Sequence, residues 1–452
     1  MARIRVPKPI DELFGNVEPR QLFELMQRYK AIGDKGRYLH WDQFQRRVPK
    51  GDDIEMAWLA VKMARRAIAK RQEDLQAERG ACFSFCVPES LYAQLHTIDR
   101  LTGGGHALGD SPFVGASEKN RYLVHSLMME EAITSSQLEG ASTTRKVAKD
   151  MLEQSRPPRD KSEQMIFNNY LLMKKAVERK DEPLTLELML ELHEIATRDA
   201  IDNDAVPGEL RRDDNIFVTD LYNEVAHQPP HWETLPERLQ ALCDFANRDH
   251  GDHHQETFIH PVIKAVILHF MVGYIHPFGD GNGRTARALF YWFMLKSGYW
   301  LFEYLSISKY IQEKRGDYDR AFIYTETDDF DLTYFIYHQM SVIIKAVHGL
   351  LDYIEQKRQE LYSFMAWTDS SPVAQGLKRG HLEILKTAVK EPGRTFTART
   401  VSLDLGINEN TARSYLNKLV DEDLLVASRR RGSRTQLYIA PADLKTRLKI
   451  VE

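Results

Sequence analysis

Over most of this chain apolar residues recur at three- and four-residue spacing, the mark of amphipathic helices. Near the N-terminus "PRQLFELMQRYKAI", "EMAWLAVKMARRAIAKRQEDLQAE" and "PESLYAQLHTIDRL" all follow that period. A glycine-rich break, "TGGGHALGDSP", precedes "RYLVHSLMMEEAITSSQLEG", a helix that Gly140 would cap. "SEQMIFNNYLLMKKAVE" and "TLELMLELHEIATRD" continue the pattern, with Thr185 placed to cap the second. The period fails at "NIFVTDLYNEVAHQPP", where β-branched and aromatic runs flank a polar turn, so a small hairpin is expected around Ile216 to Ala226. It returns in "LPERLQALCDFANRD", "HPVIKAVILHFMVGYI" and "RTARALFYWFMLKSG" and persists to about Glu360. The last part differs. "TFTARTVSLDLGINENTARSYLNKLVDEDLLVAS" holds two helices split by an "LGIN" turn, and "RRRGSRTQLYIA" reads as a strand pair. Helix, turn, helix and strand pair outline a winged helix-turn-helix. The expected fold is mainly α, in three parts: a helical accessory region over 1–110, a helical domain with a β-hairpin over 111–360, and a winged helix-turn-helix over 375–452. No internal repeat interrupts this order.

Composition changes the picture in two places. The formal net charge of the 452 residues is −4, which implies no global polyelectrolyte partner. From Lys378 onward, however, 15 Lys/Arg face 9 Asp/Glu, so a basic C-terminal module is joined to an acidic body. The 3 cysteines, Cys82, Cys86 and Cys243, support neither a disulfide framework nor a four-cysteine zinc site, and a reducing cytoplasm is expected. "MARIRVPKPIDELFG" has no apolar run after its charges, so no signal peptide is expected. "VIKAVILHFMVGYI" contains Lys264 and His269 and is too short to span a bilayer, so no membrane partner is expected.

Candidate chemistry concentrates in "HPFGDGNGRTAR", residues 276–287, between two apolar helices. Gly279, Gly281 and Gly283 permit positive φ and close approach of backbone to a ligand. The loop opens a helix whose first N–H groups and dipole attract an anion, and the Asn282 amide adds a donor. Arg284 and Arg287 lie near one another on the first turn. Cations there are locally unfavourable unless an anion arrives, and two guanidiniums suit a chain of phosphates. Asp280 then fits as a ligand of Mg²⁺, which binds one or two carboxylates plus phosphate oxygens. His276 can take a proton from a hydroxyl near pH 7. Phosphoryl or nucleotidyl transfer is the chemistry these residues suggest. A glycine-rich turn with surface arginines is the plain alternative. The loop lacks a Gly-Lys-Ser/Thr ending and follows a helix, so it is neither a P-loop nor a Rossmann fingerprint.

This loop resembles the signature of the Fic family: His-Pro-Phe, any residue, Asp or Glu, Gly-Asn-Gly-Arg, two residues, Arg. The resemblance extends through "FIHPVIKAVILHFMVGYIHPF" and "VPGELRR", over roughly residues 120 to 330. It implies a Fic helical core with a hairpin flap, and transfer of AMP from ATP to a Ser, Thr or Tyr hydroxyl of a protein; which protein is left open, the chain itself being one candidate. His276 would be the general base and Asp280 the Mg²⁺ ligand. Gly281, Asn282 and Gly283 would form the α-phosphate anion hole. Arg284 would meet the β-phosphate and Arg287 the γ-phosphate. The flap would clamp the target by strand addition. Many relatives place Gly-Gly soon after the first flap strand, where this chain has "FVTDLYNEV". In "SSQLEG", Ser135, Glu139 and Gly140 resemble the family's inhibitory helix, whose glutamate would pair with Arg287 and occupy the γ-phosphate site. An exposed glutamate beside a cap is the plain reading.

In the C-terminal module the expected recognition helix runs from about Glu409 to Val420 and offers Thr411, Arg413, Ser414 and Asn417. Arg429, Arg430, Arg431 and Arg434 would follow DNA phosphates or a minor groove from the wing. A winged helix that binds protein is the alternative. His250, His253, His254 and His260 cluster in "DHGDHHQETFIH", as a metal site or, more simply, a polar loop. The expectation is therefore a self-inhibited protein adenylyltransferase using ATP and Mg²⁺. Its alternatives are AMP removal, another nucleotide donor, or a DNA-binding regulator whose core senses nucleotide or modifies itself. A homo-oligomer interface that covers or frees the inhibitory helix is left open.

Overall fold

The computed structural model describes residues 4–15, 17–102, 117–201, 203–219, 225–251, 258–429 and 435–448. It divides into two compact units, Met1–His348 and Gly349–Glu452. Small antiparallel sheets accompany a mainly helical fold.

In the first unit the labelled elements are α1 (Ile54–Arg66), β1 (Lys70–Gln76), β2 (Cys82–Phe85), α2 (Ser117–Leu138), α3 (Lys161–Glu178), α4 (Leu186–Thr197), β3 (Val218–Thr219), β4 (Val225–His227), α5 (Pro261–Ile275), α6 (Asn282–Lys296) and α7 (Arg315–Thr327). The centre is the α5–α6 pair. α5 presents no polar face to solvent: Val262 to Val272 are all buried, Lys264 and His269 included. Its start is fixed twice: the His260 side chain accepts the Val262 N–H, and Pro261 occupies the first turn, where a missing N–H costs nothing. Its end is left-handed, with His276 at φ 48°. α3 and α4 pack against α6, and α2 packs on α3. Asp160 and Thr185 cap α3 and α4, the latter as its sequence predicts.

The helix expected over the whole of "EMAWLAVKMARRAIAKRQEDLQAE" stops at Arg66, and its second half is β1. Long polar side chains suit either state, so the sequence decides weakly there. The apolar strand β2, "CFSF", settles it by pairing antiparallel with β1 after a turn at Gly80, φ 73°. The region before residue 110 is therefore not purely helical. It is held to the chain near 330 by buried charge: Lys62 donates to Asp328 at 2.7 Å, and Arg65 donates to the Tyr334 hydroxyl at 2.6 Å and lies over the Tyr38 ring. The expected hairpin around Ile216 to Ala226 is present as β3 and β4, paired antiparallel with an irregular register. Residues 220–224 of it lie outside the described residues.

The second unit begins within α8 (Thr333–Ser370) and continues with α9 (Arg379–Lys390), β5 (Thr395–Phe396), α10 (Ala398–Leu405), α11 (Glu409–Asp421), β6 (Val426–Arg429) and β7 (Gln436–Ile439). Its sheet has the order β5-β7-β6, and its core holds Leu385, Leu416, Leu419, Leu425 and Tyr438. The "LGIN" turn forms for local reasons: Gly406 adopts φ 64° at the end of α10, and Asn408 caps α11 by accepting the Thr411 N–H. Among the described residues no helix is long and apolar enough to cross a membrane.

Candidate active site

The loop from His276 to Gly281 is pinned at every backbone corner. The His276 N–H donates to the Val272 carbonyl at 3.0 Å, and its carbonyl accepts from Arg211 Nε at 2.9 Å. His276 Nδ1 lies 3.2 Å from the Gly273 carbonyl. A carbonyl only accepts, so Nδ1 carries the proton and the Nε2 lone pair is left for a substrate. Burial pushes the imidazole down to about 4, so the ring is neutral at pH 7. Gly281 takes φ 79° at the start of α6, and a Cβ there would lie 2.5 Å from Thr197 Cγ2. Only glycine serves at that corner.

Asn282 departs from expectation. Its side chain accepts the Phe278 N–H at 3.0 Å and donates to the Phe278 carbonyl at 2.8 Å, so the amide closes the loop on itself. An amide four residues from its own loop backbone spends its oxygen and one of its two N–H donors on the loop. The first N–H groups of α6 have no intrahelical acceptors. Asp280 accepts the Gly281 N–H and lies 3.5 Å from Arg284 Nη2, with its side chain 36% exposed. One partly exposed carboxylate beside an anion cradle fits Mg²⁺ bound jointly with phosphate.

Two guanidiniums line the cradle. Arg284 is fully buried; Nη1 donates to the Ala196 carbonyl, while Nε and Nη2 have no hydrogen-bond partner. Burial lowers its pKa, against the pull of Asp280. A buried guanidinium with unsatisfied donors is costly unless an anion completes it. Arg287 is satisfied: Nε donates to Ser135 Oγ at 2.8 Å, and Nη2 to the Ser135 carbonyl at 3.1 Å and to Glu139 Oε1 at 2.8 Å. Burial alone would raise the Glu139 carboxyl, but Arg287 outweighs it and holds the group below its ordinary range. A Cβ on Gly283 would meet Glu139 Oε1 at 2.2 Å, so the carboxylate rests directly on the first turn of α6. Gly140, φ 97°, turns the chain away after it.

Several residues of this site carry no motif. Arg315 donates to the Leu138 carbonyl at 2.8 Å and caps α2 beside Glu139. Buried His193 stacks on Phe278, receives the Gly208 N–H at Nδ1 and contacts the Asp280 carbonyl through Nε2 at 2.9 Å. Burial pushes it down to about 4, so it is a neutral brace. Its one signal is a histidine in the apolar stripe of "LELMLELHEIA". Glu131, one turn before Ser135, accepts from both Ser306 and Ser308 and fixes α2 in place.

The other candidates separate. Arg413 and Asn417 are exposed on α11, and Asn417 accepts from the Tyr438 hydroxyl at 2.7 Å. Arg430, Arg431 and Arg434 lie outside the described residues, and of Arg429 only the backbone of β6 is described. His253 and His254 also lie outside them. His260 contacts Asp99 at 3.0 Å, and among the described residues no group of three or more His, Cys, Asp or Glu is placed to hold a metal.

A helical core that presents a neutral histidine, a carboxylate and two buried arginines at one helix start defines an anion-handling site. Residues 183–294 match the Fic/DOC family model, and the chain carries a Fic domain there. The chain is 32% identical over 122 residues to Protein adenylyltransferase Fic of Nematostella vectensis, covering 27% of this chain and 25% of that one. It is 33% identical over 118 residues to Protein adenylyltransferase Fic of Drosophila virilis, covering 26% and 21%. The match thus spans about a quarter of the length of these curated relatives. Among solved structures, a Fic family protein from Desulfovibrio desulfuricans G20 aligns with a TM-score of 0.49 at 19% identity, over 79% of this chain and 97% of that one.

Proposed function

We propose that this chain is a protein adenylyltransferase that joins AMP from ATP to a Ser, Thr or Tyr hydroxyl, and that Glu139 inhibits it. The carrying observation is the Glu139 carboxylate seated on Arg287 against Gly283. The cradle already holds an anionic group, on the arginine that the terminal phosphate requires. The relatives named adenylyltransferases support the same reading.

In this reading Nε2 of His276 takes the hydroxyl proton as the oxygen attacks the α-phosphorus. The new P–O bond forms as the bond to the β-phosphate oxygen breaks, and pyrophosphate leaves. The backbone N–H groups of Asn282 and Gly283 face the α-phosphate, and that of Gly281, held by Asp280 Oδ1 here, would join them once that carboxylate turns away. Arg284, with two unsatisfied donors, takes the β-phosphate, and Arg287 takes the γ-phosphate once Glu139 withdraws. Asp280 would hold Mg²⁺, which supplies neutralisation of phosphate charge. Positioning and charge carry most of such a reaction.

The test compares the chain with Glu139→Gly and with Glu139→Gly/His276→Ala, each with ATP–Mg²⁺ labelled at the α-phosphate and a protein extract added as acceptor. Label is expected in protein with the single variant and, after loss of the base, about 10²–10⁴-fold less with the double variant. In a parallel reaction with ATP labelled at the γ-phosphate, incorporation of that label and none of the α-label would shift the assignment to phosphoryl transfer. Release of AMP from modified protein, without incorporation, would shift it to AMP removal. No transfer in either direction would refute it.

We propose further that the second unit is a winged helix-turn-helix that contacts duplex DNA through α11. The supporting observation is the exposed face of α11 with Arg413, Ser414 and Asn417 in a basic stretch of chain.

A further inference from the structure

His227 ends the second flap strand, β4, and its side chain is 8% exposed. Nδ1 lies 2.7 Å from Glu326 Oε2 on α7, and Nε2 lies 2.7 Å from the Tyr274 carbonyl in the last turn of α5. Tyr274 stands two residues before His276. A carbonyl offers no proton, and an ionised carboxylate offers none either. A neutral imidazole has one N–H and can satisfy only one of these oxygens; an imidazolium satisfies both. The place also favours a cation, because the last carbonyls of a helix carry its negative end. The charged and titratable groups facing the ring are Glu326 from α7, Glu78 from the turn after β1, His276 from the loop, and the Tyr274 ring 4.9 Å away on α5, whose hydroxyl burial pushes up to about 12. The two carboxylates favour the charged ring and His276 is neutral.

We propose that His227, as an imidazolium, is a positioning residue that ties the flap to the turn carrying His276, and that the tie loosens when the ring loses its proton. This rests on the adenylyltransferase reading for its effect on rate, but not for its geometry. Burial lowers the pKa of His227, yet Glu326 and the Tyr274 carbonyl more than reverse that, and the net direction is upward from 6.5. The sign follows. A raised folded-state pKa means that the tie is complete below the ordinary imidazole range and is lost as pH rises through the higher folded value. Above it, one hydrogen bond and the ion pair with Glu326 go together, and the seating of the flap beside the base relaxes.

The experiment uses the full chain labelled with ¹⁵N-histidine, with the His227 signal assigned from its loss in His227→Gln. Both ring nitrogens of His227 are expected to read as protonated at pH 7, and the midpoint is expected to lie above 6.5 and to fall in Glu326→Gln. In parallel, AMP incorporation by Glu139→Gly is expected to decline on the alkaline side, and the decline is expected to move to lower pH with Glu326→Gln added. A His227 midpoint at or below 6.5, or one that Glu326→Gln leaves in place, overturns the proposal. So does a neutral ring at pH 7. If His227 reads as an imidazolium while no variant transfers AMP, the tie stands and the adenylyltransferase reading fails. If AMP is transferred while the alkaline decline ignores Glu326, the reaction stands and the positioning role fails.

Discussion

A glutamate after the last turn of a helix faces the negative end of the dipole, and Glu139 needs a compensating cation. It has two, Arg287 in contact and Arg315 capping the same turn. His276 shows the opposite case: burial holds the imidazole neutral, and its hydrogen bond to Gly273 fixes the tautomer. With its pKa pushed down to about 4, the neutral form persists as pH falls through the range where free imidazole becomes charged. Because kcat/KM reports the free enzyme, that parameter for AMP incorporation by Glu139→Gly should be flat between about pH 5 and pH 6.5. A loss of rate centred near 6.5 would contradict the neutral-base assignment. At this scale the sequence was readable wherever function was contiguous. The glycines, Asp280 and both arginines of residues 276–287 announce an anion site, because a helix start needs those residue types together. His227 gave no such signal, since its partner Glu326 lies 99 residues away.

Helix periods told where α3, α4, α5 and α6 lie, because each buries a continuous stripe. They failed at β1, where the deciding partner was another strand and the polar residues were neutral between states. How α2 is held was also out of reach. Glu131 with Ser306 and Ser308, and Arg315 with Leu138, join residues 175 or more positions apart. These contacts make α2 a clamped element whose last turn can be loosened without touching the cradle. Arg315→Ala removes the cap on the Leu138 carbonyl. At about 1 kcal/mol for such a contact, the balance between seated and withdrawn Glu139 shifts about fivefold. Basal AMP incorporation should rise by about that factor and stay below that of Glu139→Gly. An unchanged basal rate would show that the cap does not hold the brake.

The two units have separate cores and separate chemistries, the one acidic and the other basic. If α11 meets phosphate backbone, reversing one of its exposed charges should weaken binding to random duplex and flatten its salt dependence. Arg413→Glu in the full chain is expected to lower the slope of log K against log salt by about 1 or more, read by anisotropy of a labelled duplex. Equal binding by both proteins at all salt concentrations would favour a protein partner for this face. The basic excess was visible in the sequence, and so was the turn, because Gly406 and Asn408 act locally. The tie between the first hundred residues and the core was not. Lys62 and Asp328 are 266 positions apart, and neither sits in a pattern that names its partner.

One arginine serving two anions has a consequence for inheritance. On the mechanism proposed above, a lesion at Ser135, Glu139 or Arg315 would remove restraint and leave the machinery whole, whereas a lesion at Arg287 would remove restraint and machinery at once. Selection for overactive alleles would therefore scatter along the end of α2 and its cap and spare Arg287. Second-site suppressors of an overactive Glu139 allele would collect in the loop from 276 to 287, among residues 137 to 148 positions downstream of the change they silence.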